Sequence, residues 1–361
     1  MIRVKKVLAL VMALVLLIVA AGCASTKGET GQKASATNQE VPKIGLITGL
    51  GGLGDESFND LAYAGTKMFA DGTVQVDVVE PKQQSDIQTL QQQFAEAGDY
   101  SAIICVGYEH AESLAEIAAN FPDQKFVLID STVDNENVAS VTVKNQENAF
   151  QIGALAALVA KQNSLPGMSG DNHIGVVAGM DNPLLRTFVA GYMCGAKYVD
   201  ADITVDVSYV GSFTDPQTAK ELAMSMYNNG ADIVWQAAGS SGLGVFEAAK
   251  EAGRYALGCD GNQNALGADN IIASSVRRVD KSVYELCQAA IDGTFEGGVH
   301  LYGASEGAVE ITTEGSNAKL DSSITDTVDK LTEKMASGEL VVPSTTEEVD
   351  AFIEQYGHHQ S

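Results

Sequence analysis

Residues 43–70 read KIGLITGLGGLGDESFNDLAYAGTKMFA, and this stretch decides the fold class. KIGLIT (43–48) is an apolar run of strand length. A glycine-rich loop follows, and from Phe58 onward apolar residues return at helical spacing. The same unit recurs down the chain. Strands are predicted at VQVDVV (74–79), AIICV (102–106), KFVLID (125–130), HIGVVAG (173–179), TVDVSYV (204–210), DIVWQAA (232–238), YALGCD (255–260) and IIASSV (271–276). Helical patterns lie between most of them, from SDIQTLQQQFAEA (85–97) to KSVYELCQAAI (281–291). Strand alternating with helix implies parallel, doubly wound α/β sheets. The series is too long for one sheet and restarts near residue 145 with a long apolar helix. Two lobes are therefore expected: 43–145 plus about 259–292, and 146–258 plus about 293–361, the latter with two amphipathic tail helices. No flexible linker marks the seam, so several chain crossings should join the lobes. Ligands of doubly wound sheets bind beyond the carboxyl ends of the strands, so two facing lobes would enclose a small molecule in a cleft.

The chain has 361 residues, with 22 Lys and Arg against 47 Asp and Glu, a formal charge of −25. Such an excess of acid argues against nucleic acid and anionic lipid headgroups as partners. At the start, Arg3, Lys5 and Lys6 precede an apolar run from Val7 to Ala21. Residues 1–22 read as a secretory signal. It ends Ala20-Ala21-Gly22-Cys23, similar to a bacterial lipobox, so Cys23 is expected to carry lipid (diacylglycerol and palmitate). Residues 23–42 are then a polar tether holding the protein on the extracytoplasmic face of the cell membrane. Cys105, Cys194, Cys259 and Cys287 are expected as buried free thiols, with disulfides the alternative that export permits. No Cys/His spacing suggests a metal, and no cofactor is expected.

The first strand runs into Gly49-Leu50-Gly51-Gly52-Leu53-Gly54, which satisfies G-x-G-x-x-G, and Glu80 ends the second strand. On pattern alone this is a dinucleotide fingerprint. Asp55 and Glu56 follow at once, however, and would repel a pyrophosphate from the helix amides. Another reading makes Asp55 and Asn59 polar grips at the strand end, with Tyr63 one helical turn on from Asn59. Phe58 is expected in the core.

GDESFND followed by an aromatic and Gly resembles the opening motif of the basic membrane protein family, the PnrA-like lipoprotein receptors of nucleoside ABC importers. FPDQKFVLIDS, ENVASVTVKNQENAFQIGALAAL, GSFTDPQTAKELA, IVWQAAGSSGLGVFEAAKEAG and GCDGNQ…SSVRRVDKSVYE are similar to family stretches in the same order, across about residues 43–340. The resemblance implies two lobes of the type I periplasmic-binding-protein architecture. It also implies a monomer that captures a nucleoside of the adenosine, guanosine or inosine class and delivers it to a permease by hinge closure.

Carried over residue by residue, the resemblance implies a purine held between Tyr63 and Trp235, with Asp55 and Asn59 as polar base contacts. A core position for Trp235 is the lesser alternative. At the ribose end, Asp260 would accept from the sugar hydroxyls beside a cation, Arg277, where the family usually has Lys. Gly239 and Gly242 would admit backbone amides to the sugar. Asp130 is a further strand-terminal acid, facing the cleft or capping a loop. A receptor for a sugar or other solute is the alternative. A nucleoside hydrolase is disfavoured, because Asp55 and Asp60 alone do not make a calcium-binding aspartate cluster, and no catalytic residues are expected.

Overall fold

The computed structural model describes residues 41–356. The signal, Cys23 and most of the tether lie outside them. Two six-stranded sheets organise the chain. The first has β1 (Lys43–Ile47), β2 (Gln75–Val79), β3 (Ala102–Val106), β4 (Phe126–Ile129), β5 (Val138–Val143) and β11 (Gly298–Tyr302), in the order β11-β5-β4-β3-β1-β2, all parallel. The second has β6 (His173–Ala178), β7 (Thr204–Tyr209), β8 (Ile233–Ala237), β9 (Tyr255–Gly258), β10 (Ile271–Arg277) and β12 (Val309–Thr312), in the order β12-β10-β9-β8-β6-β7. The five strands β6–β10 repeat the order of β1–β5. The edge strand β12 is antiparallel to β10, a departure from the all-parallel expectation.

Helices cover the sheets: α1 (Phe58–Thr66), α2 (Asp86–Ala97), α3 (Ala111–Asn120), α4 (Asn145–Gln162), α5 (Pro183–Val199), α6 (Pro216–Asn228), α7 (Leu243–Ala252), α8 (Val279–Asp292), α9 (Ser322–Ala336) and α10 (Val349–Tyr356). Local sequence explains several starts. Asn182 caps α5 by accepting from Leu185 N–H at 2.9 Å, and Asp215 caps α6 by accepting from Thr218 N–H at 3.0 Å. Each is followed by proline, whose missing N–H costs nothing in the first turn. The long helix α4 buries residues on every side. It packs on α5 through Gly153, Gly191 and Gly195, whose absent side chains leave room for the facing backbone.

The lobe boundaries differ from expectation. β10 was assigned to the first lobe but pairs with β9 and β12 in the second sheet. β11 was assigned to the second lobe but pairs with β5 in the first. The chain thus crosses at 144, at 277–279 and at 303–308. Between the last two crossings, α8 packs into the first-lobe core through Val279, Val283 and Leu286. The crossings are stitched together: Lys144 N–H donates to Tyr302 O at 2.8 Å, Arg278 N–H to Ala308 O at 2.9 Å, and Ala304 N–H to the buried Glu147 carboxylate at 2.7 Å. Among the described residues, no helix is long and apolar enough to cross a membrane.

Candidate functional site

Both sheets point their carboxyl ends at the same cleft, which has about 640 Å³ of empty volume, part of it open to solvent. Because the lobes repeat one strand order, equivalent positions face each other. Asp130 follows β4 and Asp260 follows β9. Both take left-handed backbone, with φ of 62° and 68°. That conformation costs about 1–2 kcal/mol for most side chains and less for Asp, and it turns both carboxylates into the cleft.

Arg277, the last residue of β10, joins them and is only 2% exposed. Its Nε donates to Asp260 Oδ1 at 2.6 Å. Its Nη1 donates to both Asp130 oxygens at 3.0 and 2.9 Å and to Asn145 Oδ1 at 2.9 Å. Burial opposes the guanidinium charge, but Asp130 and Asp260 outweigh it and hold Arg277 charged. Burial pushes the Asp130 carboxyl up, while Arg277 works the other way. The rings of Phe58 and Phe188, one from each lobe, each lie 5.2 Å from the guanidinium carbon. Ser57 Oγ–H crosses between lobes to Asp260 Oδ2 at 3.0 Å and Cys259 O at 3.2 Å.

Asp55 and Asn59 line the cleft, but their polar groups are largely committed to the loop. Asp55 accepts from the N–H groups of Ser57, Asn59 and Asp60 and from Asn59 Nδ2. It caps α1, and burial raises its carboxyl despite these bonds. Asn59 Oδ1 accepts from Gly49 N–H at 2.8 Å, closing the glycine loop onto the helix.

The structure brings Asp55, Asn59, Asp130, Gly239, Asp260 and Arg277 to the lining of one cleft. It does not bring Tyr63 or Trp235 there. Trp235 is fully buried. β8 runs on to Ala237, so Trp235 sits mid-strand with its indole under α5. It stacks on Tyr192 at 5.2 Å and donates from Nε1 to Gly258 O at 3.1 Å. Tyr63 lies one turn down α1, against the sheet flank, with Lys67 Nζ 4.4 Å above its ring. Gly242 serves packing, since a side chain there would meet Gln236. Phe58, expected in the core, is half-buried: it packs against the first-lobe core and also lines the cleft.

Phe188, Phe213, Tyr108 and Glu109 also line the cleft and were missed. The signal for Phe213 was present in GSFTDP: an aromatic in a small polar loop just past a strand. The four cysteines Cys105, Cys194, Cys259 and Cys287 are free and buried. Among the described residues, no group of acids, histidines and cysteines could hold a metal.

The profile of the PnrA-like ABC transporter substrate-binding proteins matches residues 43–346. The chain belongs to that family. Its relatives include an uncharacterized lipoprotein of Pyrococcus abyssi, 32% identical over 96% of this chain and 94% of the relative. The nucleoside-binding protein BmpA of a Lactococcus lactis ABC transporter is 31% identical over 94% of this chain and 99% of its own. Among solved structures, an ABC transporter solute-binding protein from Aeropyrum pernix superposes with a TM-score of 0.77 at 28% identity, covering 87% of this chain and 97% of that one. The family is one of substrate-binding proteins rather than enzymes.

Proposed function

We propose that this protein captures a purine nucleoside outside the cell membrane and hands it to the permease of an ABC importer. Under this reading Cys23 carries the lipid anchor after removal of residues 1–22, and residues 24–42 tether the lobes. The observation that carries the proposal is the composition of the cleft wall. Rings from both lobes (Phe58, Phe188 and Phe213) line it, two of them flanking the Arg277 guanidinium, together with the carboxylates of Asp130 and Asp260. A flat base gains stacking and buried area against such rings, roughly 1–3 kcal/mol per base. Vicinal hydroxyls suit a carboxylate and a guanidinium held side by side. The phenylalanines thus take the part first expected of Tyr63 and Trp235.

Closure follows from the three crossings. The lobes rotate about them, and a ligand touching both stabilises the closed form by its differential affinity for it. The test is a thermal-shift screen of nucleosides, bases, nucleotides and sugars, followed by calorimetry on the hits. A ligand at a hundred times its Kd stabilises by about 2.7 kcal/mol. Nucleosides should raise the melting temperature most. A screen in which only sugars do so would replace the nucleoside reading with the sugar one, and sustained release of free base from inosine would make the protein an enzyme.

A further inference from the structure

The polar groups of the first-lobe wall differ in what they have left to offer. Asp55 already accepts four bonds, and Asn59 has committed its oxygen to Gly49 N–H and one of its two amide hydrogens to Asp55. Asp130 faces Arg277. Glu109 is different. It sits on the short 3-10 turn Tyr108–His110 that follows β3. Its carboxylate folds back over the ends of β1 and β3. A side chain at Gly49 would lie 2.8 Å from its Oε1, and one at Gly107 would lie 2.8 Å from its carboxyl carbon. Two glycines therefore clear the space it fills. Among the described residues, the one donor to this carboxylate from another residue is Leu50 N–H, at 3.2 Å.

The strand order locates Glu109 relative to Asp130. β3 lies between β4, which leads into Asp130, and β1, which leads into the loop of Gly49. Glu109 is thus one strand along from Asp130. A base attached to a sugar held by Asp260 and Arg277 would extend over it.

We propose that Glu109 is a specificity-determining residue that reads the base edge and makes the site prefer 6-oxopurine nucleosides over adenosine. This rests on the nucleoside reading above. An ionised carboxylate only accepts hydrogen bonds. Guanine presents N1–H and an exocyclic amino group, both donors, and hypoxanthine presents N1–H. Adenine presents one donor, its exocyclic amino group, and beside it a lone pair at N1 that faces the carboxylate unfavourably. A well-placed two-point contact to a base edge discriminates by roughly 1–3 kcal/mol, or about 5- to 150-fold.

The experiment is calorimetric titration of the whole protein with guanosine, inosine, 1-methylguanosine and adenosine. Guanosine, with two donors, should bind at least about tenfold tighter than adenosine, and inosine, with one donor and no opposing lone pair at N1, should exceed adenosine by a smaller factor. Methylation at N1 removes the donor, so 1-methylguanosine should fall to the adenosine level. Glu109→Gln should bring the guanosine-to-adenosine ratio close to one while adenosine still binds. Adenosine binding as tightly as guanosine, or 1-methylguanosine matching guanosine, overturns the proposal without any variant having to fold. Absence of binding by all four, with a sugar binding instead, overturns the nucleoside reading itself, a distinguishable result.

Discussion

At Trp235 and Phe213, burial separates two aromatic roles that composition cannot. Trp235 has no exposure and spends its one donor on Gly258 O. Truncating it to Ala leaves a large cavity under Tyr192 and should cost about 3–5 kcal/mol of stability. Phe213 is half-buried against the cleft, so Phe213→Ala should lose roughly 1–3 kcal/mol of nucleoside affinity instead. Melting curves and calorimetry on both variants check this. The expected pattern is an early-melting Trp235→Ala that binds normally while folded, and a Phe213→Ala that melts near the parent but binds weakly.

His110 carries a pH prediction. It is fully buried, with Nε2–H donating to Thr48 O at 3.0 Å and Nδ1 accepting from Gln91 Nε2 at 3.2 Å. Burial lowers its pKa from 6.5 to about 4. A depressed folded value means the unfolded chain binds the proton first. The stability is full above 6.5 and is lost as pH falls toward 4, on the order of 3 kcal/mol in all. Glu109 and Asp55, both raised by burial, act in the opposite sense, since their contribution fades as pH rises. Urea midpoints at pH 7 and pH 4.5 should fall more steeply in the parent than in His110→Asn, which has no imidazole to protonate. Equal falls would remove His110 from the acid response.

Among the elements, α4 and α5 form the tightest helix pair. At Gly195 a side chain would run into the Phe150 carbonyl oxygen, and backbone cannot move aside as a flexible side chain can. Gly195→Ala should therefore destabilise by about 1–3 kcal/mol or more, although alanine is the better helix former. An unchanged denaturation midpoint would show that the two helices can part at little cost. The strands behind the cleft depend on the same restraint. β6 and β8 are packed from below by these helices, and that fixes where Phe188 and Gly239 stand in the cleft.

For the whole molecule, charge and hinge matter most. The cleft sets one guanidinium, already paired, against Asp55, Glu109, Asp130 and Asp260. A phosphate added to the ligand would meet like charge among buried and half-buried carboxylates. AMP and GMP should bind far more weakly than adenosine and guanosine in paired titrations, and equal affinities would contradict the charge reading. In the proposed closure the lobes turn about the crossings at 144, 277–279 and 303–308. Gly303 is confined there: a side chain would lie 2.6 Å from Glu147 Oε2 and 2.8 Å from Lys144 Cδ. Gly303→Val should disturb how the Glu147 carboxylate holds Ala304 N–H. Small-angle scattering should show the parent becoming more compact on nucleoside addition, and the variant doing so less.

The sequence by itself determined the fold class, the two-lobe plan and the strand-end acids. Strand-and-helix alternation is a local signal, and a residue at the carboxyl end of a parallel strand faces the ligand side whatever its neighbours are. Asp130 and Asp260 were legible for that reason, and Arg277 through the resemblance of SSVRR to its family motif. What needed the tertiary structure was every choice between face and depth. Trp235 and Phe213 both lie near strand ends, but two more residues of β8 sink the first while a loop lifts the second. Phe58 and Tyr63 share one helix, yet its tilt on the sheet sends only Phe58 to the cleft. The lobe assignment of β10 and β11 was likewise undecidable locally, since sheet membership is set by hydrogen bonding to strands more than a hundred residues away in the case of β11 and β5. Glu109 became visible only when two glycines from separate strands were seen to make room for one carboxylate, a juxtaposition that exists only in three dimensions.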